Sequence, residues 1–220
     1  MAGREQATGI DPRVVRSRAA ILDAATSLFL RNGYSATTMD DIAEEAGVSK
    51  RTVYNNFADK EALFREVALA AAEIAKGFAT DAAAELADPD DLPEALFALA
   101  RRLALATTDP RFVRLRRLLI GETHRFPDLA AEYYRLAPGT VMATLAAAFE
   151  SLASRGRLHV TDPDRAAEQF AFLVLGAALD RAMFDGRDKP PDSESLLRAA
   201  DDGVRTFLAA HGPASGVGIR

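Results

Sequence analysis

Apolar residues recur along this chain at helical spacing, and nowhere do they alternate with polar ones for long enough to predict a strand. Ile21, Leu22, Ala25, Leu28 and Phe29 form one stripe, which predicts a helix over 17–32 that Gly33 ends. Thr38 and Asp41 stand at capping-box spacing ahead of a short second helix, whose inner face is Met39, Ile42, Ala43 and Ala46. Gly47 makes the next turn. Ser49 caps a third helix carrying Lys50 to Phe57, and Asp59 caps a fourth that runs from Lys60 to about Leu86. The segment Ala87-Asp88-Pro89-Asp90-Asp91 then breaks the pattern.

Further helices are predicted over 92–107, 110–124, 127–154, 163–185 and 193–210. Asp109-Pro110, Phe126-Pro127, Gly156 to Pro163 and Gly186 to Pro191 separate them, and Pro138-Gly139 should kink or split the 127–154 segment. The predicted fold class is all-α. A three-helix helix-turn-helix domain over 17–63 precedes a larger helical bundle over 64–211, with a flexible basic arm over 1–16 and a disordered tail over 212–220.

The third helix carries the chemistry. At about 100° per residue, Val53 and Phe57 point together into a small core. Arg51, Thr52 and Asn55 gather on the opposite side, with Asn56 and Lys50 at the flanks and the cap Ser49 at the start. Arginine forks onto guanine, asparagine onto adenine, and a threonine methyl meets thymine. Thr38, Lys50, Tyr54 and Lys60 are placed for phosphate oxygens, Lys60 at the positive start of the fourth helix. A polar helix face is most often only solvated. Here the two-helix spacing, the glycine turn and the adjoining capped helix favour DNA recognition instead.

Charge and composition adjust this picture only slightly. The net charge of −5 is not the basic footprint of a typical DNA binder. Nine basic and nine acidic residues stand in 1–65, leaving 18 basic and 23 acidic for the remainder, so the acidic excess lies outside the motif. Arg13, Arg16 and Arg18 cluster ahead of the first stripe, where they could meet phosphates. The absence of cysteine excludes disulfides and thiolate chemistry. The N-terminus has no apolar run of a signal peptide, and the longest apolar run, Phe170 to Leu179, is short for a bilayer. A cytoplasmic protein with no membrane partner is expected.

Residues 18–64 resemble the DNA-binding domain of TetR-type transcription regulators. The matching elements are Ile21-Leu22-Asp23-Ala24-Ala25, Leu28-Phe29, Asn32-Gly33-Tyr34, Thr37 to Ala43, Ala46 to Lys50, Thr52-Val53-Tyr54, Phe57 and Lys60 to Phe64. The family commonly has glycine where Arg51 stands and a basic or aromatic residue where Asn55 or Asn56 stands, so the operator is this chain's own. Farther on, Arg116 to Arg135, Gly156 and Asp162-Pro163 to Phe170 are similar to an AefR-like subgroup.

The resemblance implies a transcriptional regulator, most often a repressor, that binds a palindromic double-stranded DNA operator as a homodimer and responds to a small-molecule effector. It implies dimerisation through the helices at about 163–185 and 193–210. Ala166, Ala167, Phe170, Leu173, Val174, Ala177 and Ala178 make the first of these broadly apolar, and Leu196, Leu197, Ala200, Val204, Phe207 and Leu208 stripe the second. The bland alternative is that these faces fill the chain's own core. Candidate effector contacts are Phe112, Arg116, Glu122, His124, Phe126, Tyr133, Tyr134, Phe149 and Phe172, with ordinary core packing the competing role for each aromatic. A regulator without a small ligand, controlled by a protein partner or by abundance, is the alternative function.

An enzyme is not expected. His124, His159 and His211 lie far apart with no metal-ligand spacing, and no phosphate loop or nucleophile elbow occurs. No metal and no cofactor are expected.

Overall fold

The computed structural model describes residues 12–185 and 192–213, all of them helix or connecting turn, with no strand among them. Ten helices follow in order: α1 (Pro12–Ala36), α2 (Met39–Glu45), α3 (Lys50–Asn56), α4 (Lys60–Ala87), α5 (Leu92–Thr107), α6 (Pro110–Gly121), α7 (Pro127–Leu136), α8 (Pro138–Ser154), α9 (Pro163–Phe184) and α10 (Ser193–His211). The chain divides into two compact units, 1–68 and 69–220, and α4 runs through the division.

The first unit is built around α1. Ile21, Ala25, Leu28 and Phe29 meet Ile42, Val53, Phe57, Leu63 and Phe64 in a core where each is at most 4% exposed. Phe29 and Phe64 pack edge to face with ring centroids 5.2 Å apart, and Tyr34 lies 5.0 Å from Phe64. Two glycines shape the backbone. Gly33 at φ +80° interrupts α1, and Gly47 at φ +64° turns the chain from α2 into α3, both in the left-handed region that side chains disfavour.

In the second unit α8, α9, α10 and α5 pack on one another. Phe149, Phe170 and Phe207 form its centre, with pairwise centroid distances of 5.6, 5.0 and 5.2 Å. Gly203 lets α10 lie directly on α9, since a Cβ there would sit 2.7 Å from the Leu173 carbonyl oxygen. Arg101 grips Asp201 through two hydrogen bonds of 2.8 and 2.9 Å, joining α5 to α10.

Some boundaries move. The predicted arm over 1–16 gives way at Pro12, because a proline's fixed φ suits the first position of a helix; residues 1–11 lie outside the described residues. The helix predicted over 110–124 stops at Gly121, and residues 122–125 form turns. The predicted split at Pro138-Gly139 is real: Ala137, at φ −101° and ψ −87°, separates α7 from α8. That break matters, because Pro127–Ser154, at 28 residues, is long and apolar enough by composition to cross a membrane, yet forms two shorter helices. Of the predicted tail, 214–220 lies outside the described residues, as does the whole predicted break from Gly186 to Pro191.

Candidate nucleic-acid interface and effector residues

The helix-turn-helix is held by the bonds its sequence implies. The Asp41 N–H donates to Thr38 Oγ1 at 3.1 Å, and the Thr38 N–H donates back to Asp41 Oδ2 at 3.0 Å, closing the capping box. The Thr38 hydroxyl and then its backbone N–H hold the Asp41 carboxyl below the usual carboxylate range. Ser49 caps α3 by accepting from the Thr52 N–H at 3.1 Å, and its hydroxyl pairs with that of Thr52 at 2.8 Å. Asp59 accepts from the Ala62 N–H at 2.7 Å at the start of α4.

Arg18 sets the position of α3. Its guanidinium donates to the Asn56 carbonyl at 3.0 Å, pairs with Glu66, and lies 4.4 Å over the centre of the Phe57 ring. The sequence grouped Arg18 with a phosphate-facing arm; the structure places it half-buried inside the unit, tying α1 to both ends of the α3–α4 connection. The signal was present in its register, three residues before the apolar stripe begins.

The nine predicted DNA residues sort into two groups. Arg51 and Asn55 are exposed, four apart on the face of α3 away from buried Val53, and neither has a partner among the described residues. Tyr54, 54% exposed, stands beside them. The others are already bonded within the unit. Thr38, Ser49 and Thr52 serve as caps or bond to one, and Asn56 donates to the Thr52 carbonyl at 2.8 Å. Lys50 remains exposed but is paired with Asp40 at 2.5 Å, and that carboxylate raises the lysine pKa.

Lys60 requires a correction. Its ammonium donates to the Tyr34 and Thr37 carbonyls at 2.9 and 2.8 Å and lies 4.4 Å over the Tyr34 ring. A cation with these partners clamps the loop between α1 and α2 and is not simply offered to phosphate. Nothing in residue spacing foretold this, because the partner carbonyls come from a turn 23 and 26 residues away.

The nine effector candidates do not converge. Phe149 is fully buried in the aromatic centre of the second unit, and Phe172 is 74% exposed on the opposite, outer side of α9 from buried Phe170 and Val174; both are corrected as cavity liners. His124 is exposed in the turn after α6, and Glu122 caps that helix. Phe112 and Arg116 are half-buried on α6, and Phe126 begins α7. Tyr133 is buried on α7, whereas Tyr134 is exposed and lines an open groove of about 860 Å³. Ala83, Leu86 and Ala87 of α4 form one wall of that groove, and Thr140, Ala143, Thr144 and Ala147 of α8 the other. Its volume suits a small molecule. The run of small residues on α8 was the sequence signal for it.

The proposed dimer faces also divide. Leu196, Ala200, Val204 and Phe207 of α10, and Ala166, Ala167, Phe170, Val174 and Ala178 of α9, all lie in the chain's own core. Phe172, Leu173 and Ala177 face outward on α9, with Phe184 85% exposed farther along. Among the described residues no group of histidine, cysteine and carboxylate side chains is arranged to hold a metal.

Comparison with known proteins agrees with this architecture. Residues 21–67 match the family model of bacterial regulatory proteins of the tetR family, and residues 94–213 match the C-terminal domain of AefR-like transcriptional repressors. A protein from Mesorhizobium loti assigned to the TetR-family transcriptional regulators is 35% identical, covers 92% of this chain and all of its own, and superposes with a TM-score of 0.85. The flavonoid-responsive regulator FrrA is 32% identical over 91% of this chain and all of its own, with a TM-score of 0.70. The uncharacterised regulator YhgD of Bacillus subtilis is 53% identical over 47 residues, 21% of this chain and 25% of its own length. The chain thus spans about a quarter of that curated relative's length.

Proposed function

The chain belongs to the TetR family of bacterial transcription regulators, DNA-binding proteins and not enzymes, and from that premise we propose that it is a cytoplasmic, ligand-responsive repressor acting as a homodimer on a palindromic operator. The observation that carries the reading is the pair Arg51 and Asn55, exposed and without partners among the described residues, on a helix that Arg18 holds in place. Arg51 would fork onto guanine and Asn55 onto adenine in the major groove. Lys50 and Tyr54 flank them for phosphate, and Thr38, Ser49, Thr52 and Asn56 preserve the helix-turn-helix geometry beneath.

The homodimer would form through the outer face of α9, where Phe172, Leu173, Ala177 and Phe184 leave apolar surface uncovered. One helix-turn-helix makes few base contacts, so two copies on a two-fold site are the economical solution. The second unit would take the effector. A relative named for its response to flavonoids supports a small organic molecule, and α4, which runs through the division between the units, is the element an effector would move. DNA and effector must then weaken each other by the same factor, because their coupling is one shared free energy.

Selection of bound duplexes from a random pool, at physiological salt, tests this reading. Enrichment of one palindrome is expected. A bound pool with no common sequence, or with an unpaired half-site only, would refute the dimeric operator reader.

A further inference from the structure

Lys50 opens the helix that carries Arg51 and Asn55, yet it is not simply free to meet DNA. Its ammonium lies 2.5 Å from Asp40 Oδ2, which joins the first residue of α3 to the first turn of α2. A hydrogen bond and charge from that carboxylate raise the lysine pKa, as a real pairing should. Both side chains remain more than half exposed, at 65% and 55%. An ion pair this open to water contributes little to the fold. Its consequence is electrostatic: the start of α3 presents a neutral pair where its sequence offers a cation.

The acid comes from a strongly acidic helix. α2 holds Asp40, Asp41, Glu44 and Glu45 among its seven residues and no basic one. Asp41 closes the capping box, and so already supplies the negative charge that favours a helix start. Asp40 adds a second where the cap needs none. Glu45, at the other end of α2, pairs with Arg31 of α1 at 3.5 Å. The leading helix of a helix-turn-helix crosses the DNA backbone while the second enters the major groove. Carboxylates on that helix therefore stand near phosphates, which repel them.

We propose that Asp40 is an internal competitor for the phosphate Lys50 would otherwise meet, and that it thereby limits how tightly this protein holds DNA of any sequence. The proposal rests on α3 being the DNA-reading helix. When Lys50 leaves Asp40 for a phosphate, the counterion released from the DNA is matched by one taken up at the bared carboxylate. When Lys50 stays, no phosphate is neutralised. In both cases the lysine adds little to sequence-independent affinity. Base contacts by Arg51 and Asn55 then carry a larger share of the total.

The test is binding of the full chain to fluorescently labelled duplexes, read by anisotropy over a salt series, with duplex selection run alongside. Asp40→Asn should bind random and selected duplexes alike more tightly, by about tenfold at about 50 mM salt and about threefold at about 200 mM. Its plot of log affinity against log salt should steepen by about one unit, as for one added phosphate contact. Selection should return the parent's preferred sequence, since Arg51 and Asn55 are unchanged. Adding Lys50→Gln to Asp40→Asn should bring affinity and slope back to the parent's. Asp40→Ser should repeat the single variant, and both should melt near the parent because the pair is exposed. Variants that bind no more tightly than the parent would overturn the proposal. So would a gain that survives Lys50→Gln, since Asp40 would then repel DNA without acting through the lysine. A changed preferred sequence would overturn it too, by making Lys50 a base reader. Sequence-selective binding by the parent, with no gain in Asp40→Asn, sinks this proposal alone. A parent that binds no duplex sinks the DNA-reading role as well.

Discussion

The two units of this chain contrast in how far apart their deciding residues lie. In the first, the residue that starts or stops each element sits beside it: Thr38 and Asp41 open α2, Gly47 ends it, and Ser49 opens α3. In the second, the centre is Phe149, Phe170 and Phe207, drawn from three helices and brought together only by packing. A motif written in neighbouring residues carries its geometry with it. A bundle written in long amphipathic stripes carries its helices, but not the choice of which apolar face meets which.

The sharpest way to break the contrast is at Phe149. It lay among the effector candidates by residue type, and burial places it in the core. Phe149→Ala should cost about 3–5 kcal/mol of stability, seen as a lowered urea midpoint for the second unit. A variant that melts like the parent but no longer responds to effector would restore Phe149 to the binding site.

Within the first unit the contrast is between a reading side chain and a clamping one. Arg51→Ala should lose about 1–3 kcal/mol of discrimination at one base pair, with little change in melting temperature. Lys60→Ala should do the reverse, lowering stability by about 1–2 kcal/mol as the Tyr34 and Thr37 carbonyls lose their donor. Binding isotherms over a salt series decide between them. A Lys60→Ala protein that melts normally but shows a flattened salt slope would make this lysine a phosphate contact after all.

The smallest effect belongs to the capping box. Because hydrogen bonds lower the folded pKa of Asp41, its contribution is complete above the unfolded value near 4 and fades as pH falls through the lower folded value. The melting temperature of Asp41→Ala should therefore fall below the parent's at neutral pH and converge with it in strong acid. A gap that persists there would mean that the loss is one of helix propensity or packing.

Fold class, the helical runs with a kink or split expected at Pro138, and the helix-turn-helix with both its caps were legible in the sequence alone, since each rests on periodicity or on side chains bonding to backbone within a few residues. The exposure of Arg51 and Asn55 on α3 was equally legible, because a buried Val53 fixes which way a short helix faces. Tertiary structure decided the rest. Arg18 and Lys60 found partners 38 and up to 26 residues away and became clamps, the stripe of α10 turned inward against α9 at Gly203, and Tyr133 went under with its hydroxyl unmatched while Tyr134, one residue on, stayed out. Those outcomes depend on contacts between helices far apart in the chain, where residue type states what a side chain can do and only the packing selects which of those things it does.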